Sequence, residues 1–281
     1  LFHKKKGSFK TFFFIGLGSV FFLALLTYKM AGLFSLYPND WFLDQKVSSA
    51  YYQKKTKNYR FICQHDEIET FKPYLEDFSI IFGSAATALK KHEARPVYIL
   101  NIQDRKFFLK SYNVRNFFHW AQRYPLRSSH AFRSWHYGLK LLELGIPTPK
   151  PLALYEQKIG PFWKKSIIIT EYLENSKTLQ DVLEKNIAEN SLELFEQIQN
   201  QLNLLKKAHL IHADYGLRNL LLSQDTLYLI DLDDVHYYHF RNHFFYKRFK
   251  KKHGDRLLKN PISPQSLKNI LTTLFENSSE V

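Results

Sequence analysis

Residues 212–219 read HADYGLRN, and Asp231 follows twelve positions later inside the apolar run YLIDLDD at 228–234. The spacing sets a carboxylate, Asp214, and an amide, Asn219, on one loop, then a second carboxylate at the end of a short buried strand. Phosphoryl transfer needs that set: a carboxylate to take or orient the acceptor's hydroxyl proton, and two hard oxygen donors for a Mg²⁺ ion bridging nucleotide phosphates. Asp214 is then the catalytic base, Asn219 and Asp231 are the metal ligands, and His212 braces the loop through hydrogen bonds. The implied cofactors are ATP and Mg²⁺. Asp233 and Asp234, next along, offer extra metal ligands but read better as exposed loop carboxylates.

Hydrophobic periodicity assigns the elements around this loop. Asn190 with Glu193 makes a capping-box pattern for a helix whose inner face is Leu192, Phe195, Ile198, Leu202 and Leu205. Downstream, 220–222 and 227–232 form a short hairpin around Gln224 and Asp225. Toward the N-terminus, 59–63 and 78–82 are β-prone, and 97–102 pairs with 106–112 across Gln103, Asp104 and Arg105. Residues 129–144 repeat apolar side chains at Phe132, Trp135, Leu139 and Leu142, with Gly145 placed to cap a helix and Pro147 beyond it. The run 166–170 reads as a buried strand, left by Glu171, Tyr172 and Leu173.

A strand-rich half with one helix, then a helix feeding a loop and a hairpin, predicts an α+β, two-lobed, protein-kinase-like fold with a small C-lobe. The expected divisions are 1–45, a basic and apolar membrane-associated segment; 46–173, an N-lobe with hinge; and 174–281, a reduced C-lobe with a basic C-terminal helix. Within that layout Lys110, in the strand FFLKSY, stands where an ammonium would hold nucleotide phosphates.

Composition narrows the partners. The chain has 281 residues, 45% of them hydrophobic, enough for a sizeable core. A single cysteine, Cys63, excludes an internal disulfide framework or a cysteine-rich zinc site. A formal charge of +14 calls for an anionic partner. Residues 11–28, TFFFIGLGSVFFLALLTY, carry no charge and reach about 27 Å as a helix, close to a bilayer's hydrocarbon thickness, so a membrane helix is expected there. Lys4, Lys5, Lys6 and Lys10 before it against Lys29 after it would export the C-terminal remainder of the chain, but use of ATP requires the opposite orientation. Near the C-terminus, FRNHFFYKRFKKKH at 240–253 interleaves Arg241, Lys247, Arg248, Lys250, Lys251 and Lys252 with Phe244, Phe245 and Phe249, which suits an anionic membrane surface, an anionic glycolipid or RNA, or else a solvated basic face over a partly buried aromatic stripe. The 50 residues after Asp231 hold no Ala-Pro-Glu-like stop, which favours a small or lipid-linked acceptor over a polypeptide.

HADYGLRNLLL with YLIDLDD, the helix AFRSWHYGLKLLELGIPTPKPLAL and the strand IIITEYL together resemble the lipopolysaccharide kinases of the Kdo and heptose kinase family, distant relatives of protein kinases. The resemblance spans about residues 80–235. It implies ATP-dependent phosphorylation of a sugar in the lipopolysaccharide core at the cytoplasmic face of an inner membrane. Asp214 then takes the catalytic aspartate's place, Asn219 and Asp231 the metal ligands', and Lys110 the phosphate-binding lysine's. The nucleotide-binding candidates are Lys110, Gly83 and Ser84 in the expected covering loop, and Glu171 and Leu173. Two departures stand out: Ser134 occupies the place of the helix glutamate that pairs with the strand lysine in kinases, and the covering loop has only Gly83. They leave a second reading, a kinase-fold pseudoenzyme that binds nucleotide or glycolipid without turnover. A nucleic-acid-binding protein, suggested by charge alone, is not expected.

Overall fold

The computed structural model describes residues 51–74, 78–84, 86–90, 95–113, 128–159, 162–185, 191–239, 243–260 and 262–276. The expected membrane segment 11–28 lies outside the described residues; among those described, no helix is long and apolar enough to cross a membrane.

Seven antiparallel strands form the main sheet: β1 (Tyr51–Lys55), β2 (Tyr59–Gln64), β3 (Ala86–Lys90), β4 (Val97–Ile102), β5 (Arg105–Asn113), β6 (Pro151–Ile159) and β7 (Phe162–Glu171). Their spatial order is β1-β2-β6-β7-β5-β4-β3. Side chains alternate across each strand, so the sheet feeds two cores. Phe61 and Cys63 of β2, Leu109 of β5, and Ile167 and Ile169 of β7 enter one core with Phe71, Phe78 and Ile81. Ile62, Leu154 and Ile168 face the other way, onto Ala131, Phe132 and Trp135 of helix α1 (His130–Glu143).

The stretch 78–82 is not a strand as its composition suggests: Phe78–Ile80 is a 3-10 turn that runs into the short helix Ile81–Ser84. Buried Phe78 and Ile81 are three residues apart, a spacing that helical turns, unlike a strand, bring onto one covering face. The β4–β5 turn is also tighter than expected. Gln103 (φ 51°) and Asp104 (φ 60°) form a two-residue reversal, and Arg105 already pairs with Ile102.

Helix α1 starts where Ser129 Oγ accepts the Phe132 N–H at 3.0 Å, and stops at Gly145 with φ 76°. Its buried face is not one stripe. Ala131, Phe132 and Trp135 meet the sheet, whereas Tyr137 and Leu141 join the core of the second lobe. Leu142, expected inside, is exposed. A helix held between two bodies needs two apolar faces. Within the sheet, Arg60 of β2 and Glu156 of β6 form a fully buried ion pair, and the Arg60 guanidinium lies 4.5 Å from the Phe132 ring centroid. Pairing and the ring face offset the loss of hydration at both charges.

The second lobe is built on α2 (Leu179–Glu184) and α3 (Ser191–Lys207). Leu194, Ile198, Leu202 and Leu205 of α3 are buried at helical spacing with Phe195, while Leu192 lies off that face and is exposed, contrary to the sequence expectation. Short strands β8 (Lys177–Thr178), β10 (Leu220–Ser223) and β11 (Thr226–Leu229) make one small sheet. Strands β9 (Leu210–His212) and β12 (Val235–Tyr237) make another. The chain then forms α4 (His243–Phe249), a π-helical turn Lys250–Gly254, α5 (Asp255–Leu258) and α6 (Gln265–Glu276).

A Cβ on Gly138 of α1 would come within 2.6 Å of Pro151 Cγ in β6 and 3.6 Å of Leu232 Cδ1. Gly138→Ala should therefore destabilise the protein by about 1–3 kcal/mol through overpacking, even though alanine is the better helix former. Urea unfolding followed by circular dichroism checks this; an unchanged or raised midpoint would mean that Pro151 yields.

Candidate active site

Strand β9 leads into the loop 212–219, and its pairing with β12 sets His212 opposite Val235. The buried His212 ring uses both nitrogens: Nε2–H donates to the Ile230 carbonyl at 3.0 Å, and Nδ1 accepts the Asp214 N–H at 3.2 Å. Burial pushes its pKa down to about 4, so the ring is neutral and these two bonds fix its tautomer. Behind it, His253 Nε2 accepts the His212 N–H at 3.1 Å, while its Nδ1–H donates to the Phe249 carbonyl at 3.1 Å. Burial, with His212 alongside, pushes His253 to about 3. The π-helical turn thus seats a second neutral histidine under the loop. One step further, on α5, Arg256 forms an ion pair with the Asp214 carboxylate.

Asn219 ties the loop to its catalytic candidate. Its Nδ2 donates to the Asp214 carbonyl at 2.8 Å and to Asp214 Oδ2 at 3.2 Å, which leaves the amide oxygen as a ligand for a cation. The Asn219 carbonyl also accepts the Ile230 N–H at 3.0 Å, joining loop and hairpin. Strand β11 ends at Leu229, two residues before Asp231, which adopts the left-handed conformation at φ 63°. That reversal launches the 3-10 turn Leu232–Asp234 and is a conformation that aspartate tolerates better than most residues.

Lys110 of β5 reaches across to this turn. Its ammonium contacts Asp231 and lies 3.1 Å from Asp233 Oδ1. Asp233 is 1% exposed, not a solvent-facing loop carboxylate as the sequence suggests. Its other oxygen lies 3.1 Å from His130 Nδ1 and 3.6 Å from Arg95 Nη1. Burial alone would strip charge from Lys110, but Tyr112, Asp233 and Asp231 outweigh it and raise its pKa. The two acids split. Burial and the neighbouring Asp233 push Asp231 upward, while His130 and Lys110 overcome burial and hold Asp233 well below the usual carboxylate range.

A cavity of about 510 Å³ opens between the lobes, lined by Lys110, Thr148, Glu171, Leu173, Asn219 and Asp231 among others. Glu171 also accepts the Lys150 N–H at 2.8 Å. Gly83 and Ser84 belong to the short helix Ile81–Ser84 ahead of β3. Because 78–84 is helical, the strand expected there begins only at Ala86. Arg95, just ahead of β4, lines the cavity. Asp214 and Arg256 are not among the lining residues; Asn219 is the link from the cavity to them.

The lipopolysaccharide kinase (Kdo/WaaP) family pattern matches residues 89–264, from β3 through the C-terminal helices α4 and α5. The chain belongs to that family. Among curated proteins it is similar to a 3-deoxy-D-manno-octulosonic acid kinase of Vibrio vulnificus, 27% identical over 116 residues, covering 41% of this chain and 47% of that one. It is similar also to one of Haemophilus influenzae, 30% identical over 114 residues, covering 38% of this chain and 46% of that one. The chain spans just under half the length of these relatives. Among solved structures, WaaP in complex with acyl carrier protein shares the fold, with a TM-score of 0.58 at 16% identity over 78% of this chain and 89% of that one. Strands β1 and β2 and helix α6 lie outside the family span.

The donor set fits a Mg²⁺ ion of the kind this family's chemistry implies. Among the described residues no three His, Cys, Asp or Glu side chains cluster into a dedicated cage. Mg²⁺ in nucleotide sites needs only one or two carboxylates beside phosphates and water, which Asp231 and the Asn219 amide oxygen can supply.

The two histidines give the loop a pH signature. Both are neutral when folded and have pKa values below the unfolded value of about 6.5, so the unfolded chain binds more protons as pH falls from 6.5 toward 4. Stability should be full above pH 6.5 and fall below it by about 1.4 kcal/mol per pH unit for each histidine. His253→Gln should remove one proton's share of that slope. Chemical unfolding at pH 7, 6 and 5 checks both, and a flat profile for the unsubstituted protein would contradict the buried neutral pair.

Proposed function

We propose that this chain is an ATP-dependent kinase that phosphorylates a sugar hydroxyl of a lipopolysaccharide-core or related glycolipid acceptor. The observation that carries the reading is the meeting of Lys110, Asn219 and Asp231 on one interlobe cavity, with Asp214, which is not among its lining residues, accepting a hydrogen bond from Asn219 at 3.2 Å. ATP in the cavity would meet the Lys110 ammonium at its phosphates. Asp231 and the Asn219 amide oxygen would hold Mg²⁺, which when bound neutralises phosphate charge. Asp214 orients the acceptor hydroxyl and takes its proton, and Arg256 beside it faces the acceptor side as a fixed positive charge. Family membership and the names of the relatives support a sugar acceptor, and an acidic sugar suits the cation at Arg256. The missing helix glutamate, which motivates the turnover-free reading, is offset by Asp233 at Lys110.

The proposal extends to location: an inner membrane with the kinase lobes on its cytoplasmic side. Exposed Phe244, Lys247, Lys250 and Lys251 along α4 and the π-helical turn give a face for an anionic lipid surface, and the apolar sequence 11–28 supplies a second reason to expect a membrane.

Purified protein with γ-labelled ATP, Mg²⁺ and a Kdo-terminated truncated lipopolysaccharide should transfer label to the lipid. Asp214→Ala should lower kcat by about 10²- to 10⁴-fold while nucleotide binding persists. ATP binding without transfer by the unsubstituted protein would instead support the non-catalytic reading.

A further inference from the structure

A phosphate-binding lysine must be held by an anion, and in protein kinases a glutamate on the N-lobe helix does this. Helix α1 has no acidic residue before Glu143, its last position. Ser134 stands on the cavity wall with its Oγ 3.4 Å from the Tyr112 hydroxyl. We propose that Asp233 takes over the glutamate's task, as a positioning residue that holds Lys110 from the C-lobe side. The inference rests on the kinase reading above and specifies how that site is assembled.

Each Asp233 oxygen has a separate duty. Oδ1 faces Lys110 Nζ at 3.1 Å, and Oδ2 lies 3.1 Å from His130 Nδ1 and 3.6 Å from Arg95 Nη1, within ion-pair distance of both. Asp231 also touches Lys110, but its carboxylate is the one suited to a cation, so a lysine resting on Asp231 alone would share its only partner with that ion. Asp233 frees it from that competition. The turn that carries Asp233 is itself clamped. Leu232 is buried in the second core, the Asp234 carbonyl accepts the Ala213 N–H at 2.8 Å, and the Val235 carbonyl accepts Arg133 of α1 at 3.0 Å. The same short segment therefore presents Asp231 and aligns Lys110. In protein kinases the position of the helix sets the ion pair; here α1 contributes only His130, its first residue, to the grip.

Asp233→Asn should weaken metal-free ATP binding, measured by titration calorimetry, by about tenfold, the scale of one lost charged hydrogen bond. KM for ATP should rise in step, with KM for the acceptor unchanged. Adding Ser134→Glu to that variant should restore most of the affinity by supplying the carboxylate from α1. Unchanged ATP affinity in Asp233→Asn, or equal losses toward both substrates with no rescue by Ser134→Glu, would overturn the assignment. Should Asp233→Asn fail to fold, His130→Gln decides: loosening the grip on Asp233 should weaken ATP binding several-fold, and unchanged affinity there would overturn the proposal too. Because binding is read without turnover, a missing phosphoryl transfer counts against the proposed activity alone.

Discussion

A buried ammonium in the middle of a sheet must be neutralised, and the structure is arranged around how that happens at Lys110. The lysine belongs to β5 in the seven-stranded sheet, while both carboxylates it meets come from the turn after β11 in the other lobe. The ion pairs therefore cross the cleft. They fix the distance between the lobes at the place where nucleotide phosphates would lie, and removing one partner would leave a charge in a poorly hydrated site. Helix α1 reinforces the crossing: Phe132 and Trp135 pack on the sheet, Tyr137 and Leu141 pack on the second core, and Arg133 bonds the β12 backbone.

The loop 212–219 is also tied to distant parts of the second lobe. Two neutral histidines in series, His212 and His253, connect the loop's backbone to the C-terminal helices, and Arg256 continues the connection to Asp214. The helices after the hairpin are therefore more than a basic appendage. Their inner face sets the position of Asp214, and their outer face carries Phe244 and the lysines.

Much of this is legible in the sequence, for local reasons. Asp214 and Asn219 share one loop and Asp231 closes an apolar run, so their spacing singles them out, whereas Lys110 sits in an alternating strand that any edge strand would match and is singled out by its place in the kinase-like layout. Helix α1 is legible through Ser129 and Gly145, its two ends. The features that escape a sequence reading depend on contacts distant in the chain. Asp233 looks like one more acid in DLDD, and only the approach of β5, the start of α1 and Arg95 buries it; the local clue is its place between apolar Leu232 and Val235. His253 and Arg256 are hidden in a basic run, although His253 stands four residues after Phe249, one helical turn from a buried ring. Gly83 and Ser84 end a short helix and not a strand because the β-prone stretch 78–82 coils so that Phe78 and Ile81 cover the sheet. A one-stripe pattern puts Leu142 and Leu192 inside, but the faces of their helices are set by two neighbours or a shifted phase.

Lys110 and Asp233 are expected to depend on each other across the cleft. A double-mutant cycle in unfolding free energy, with Lys110→Met, Asp233→Asn and the two combined, measures that dependence. The expected result is a coupling of about 1–3 kcal/mol, the double variant being more stable than the two single losses would sum to. Additivity within about 0.5 kcal/mol would contradict the account.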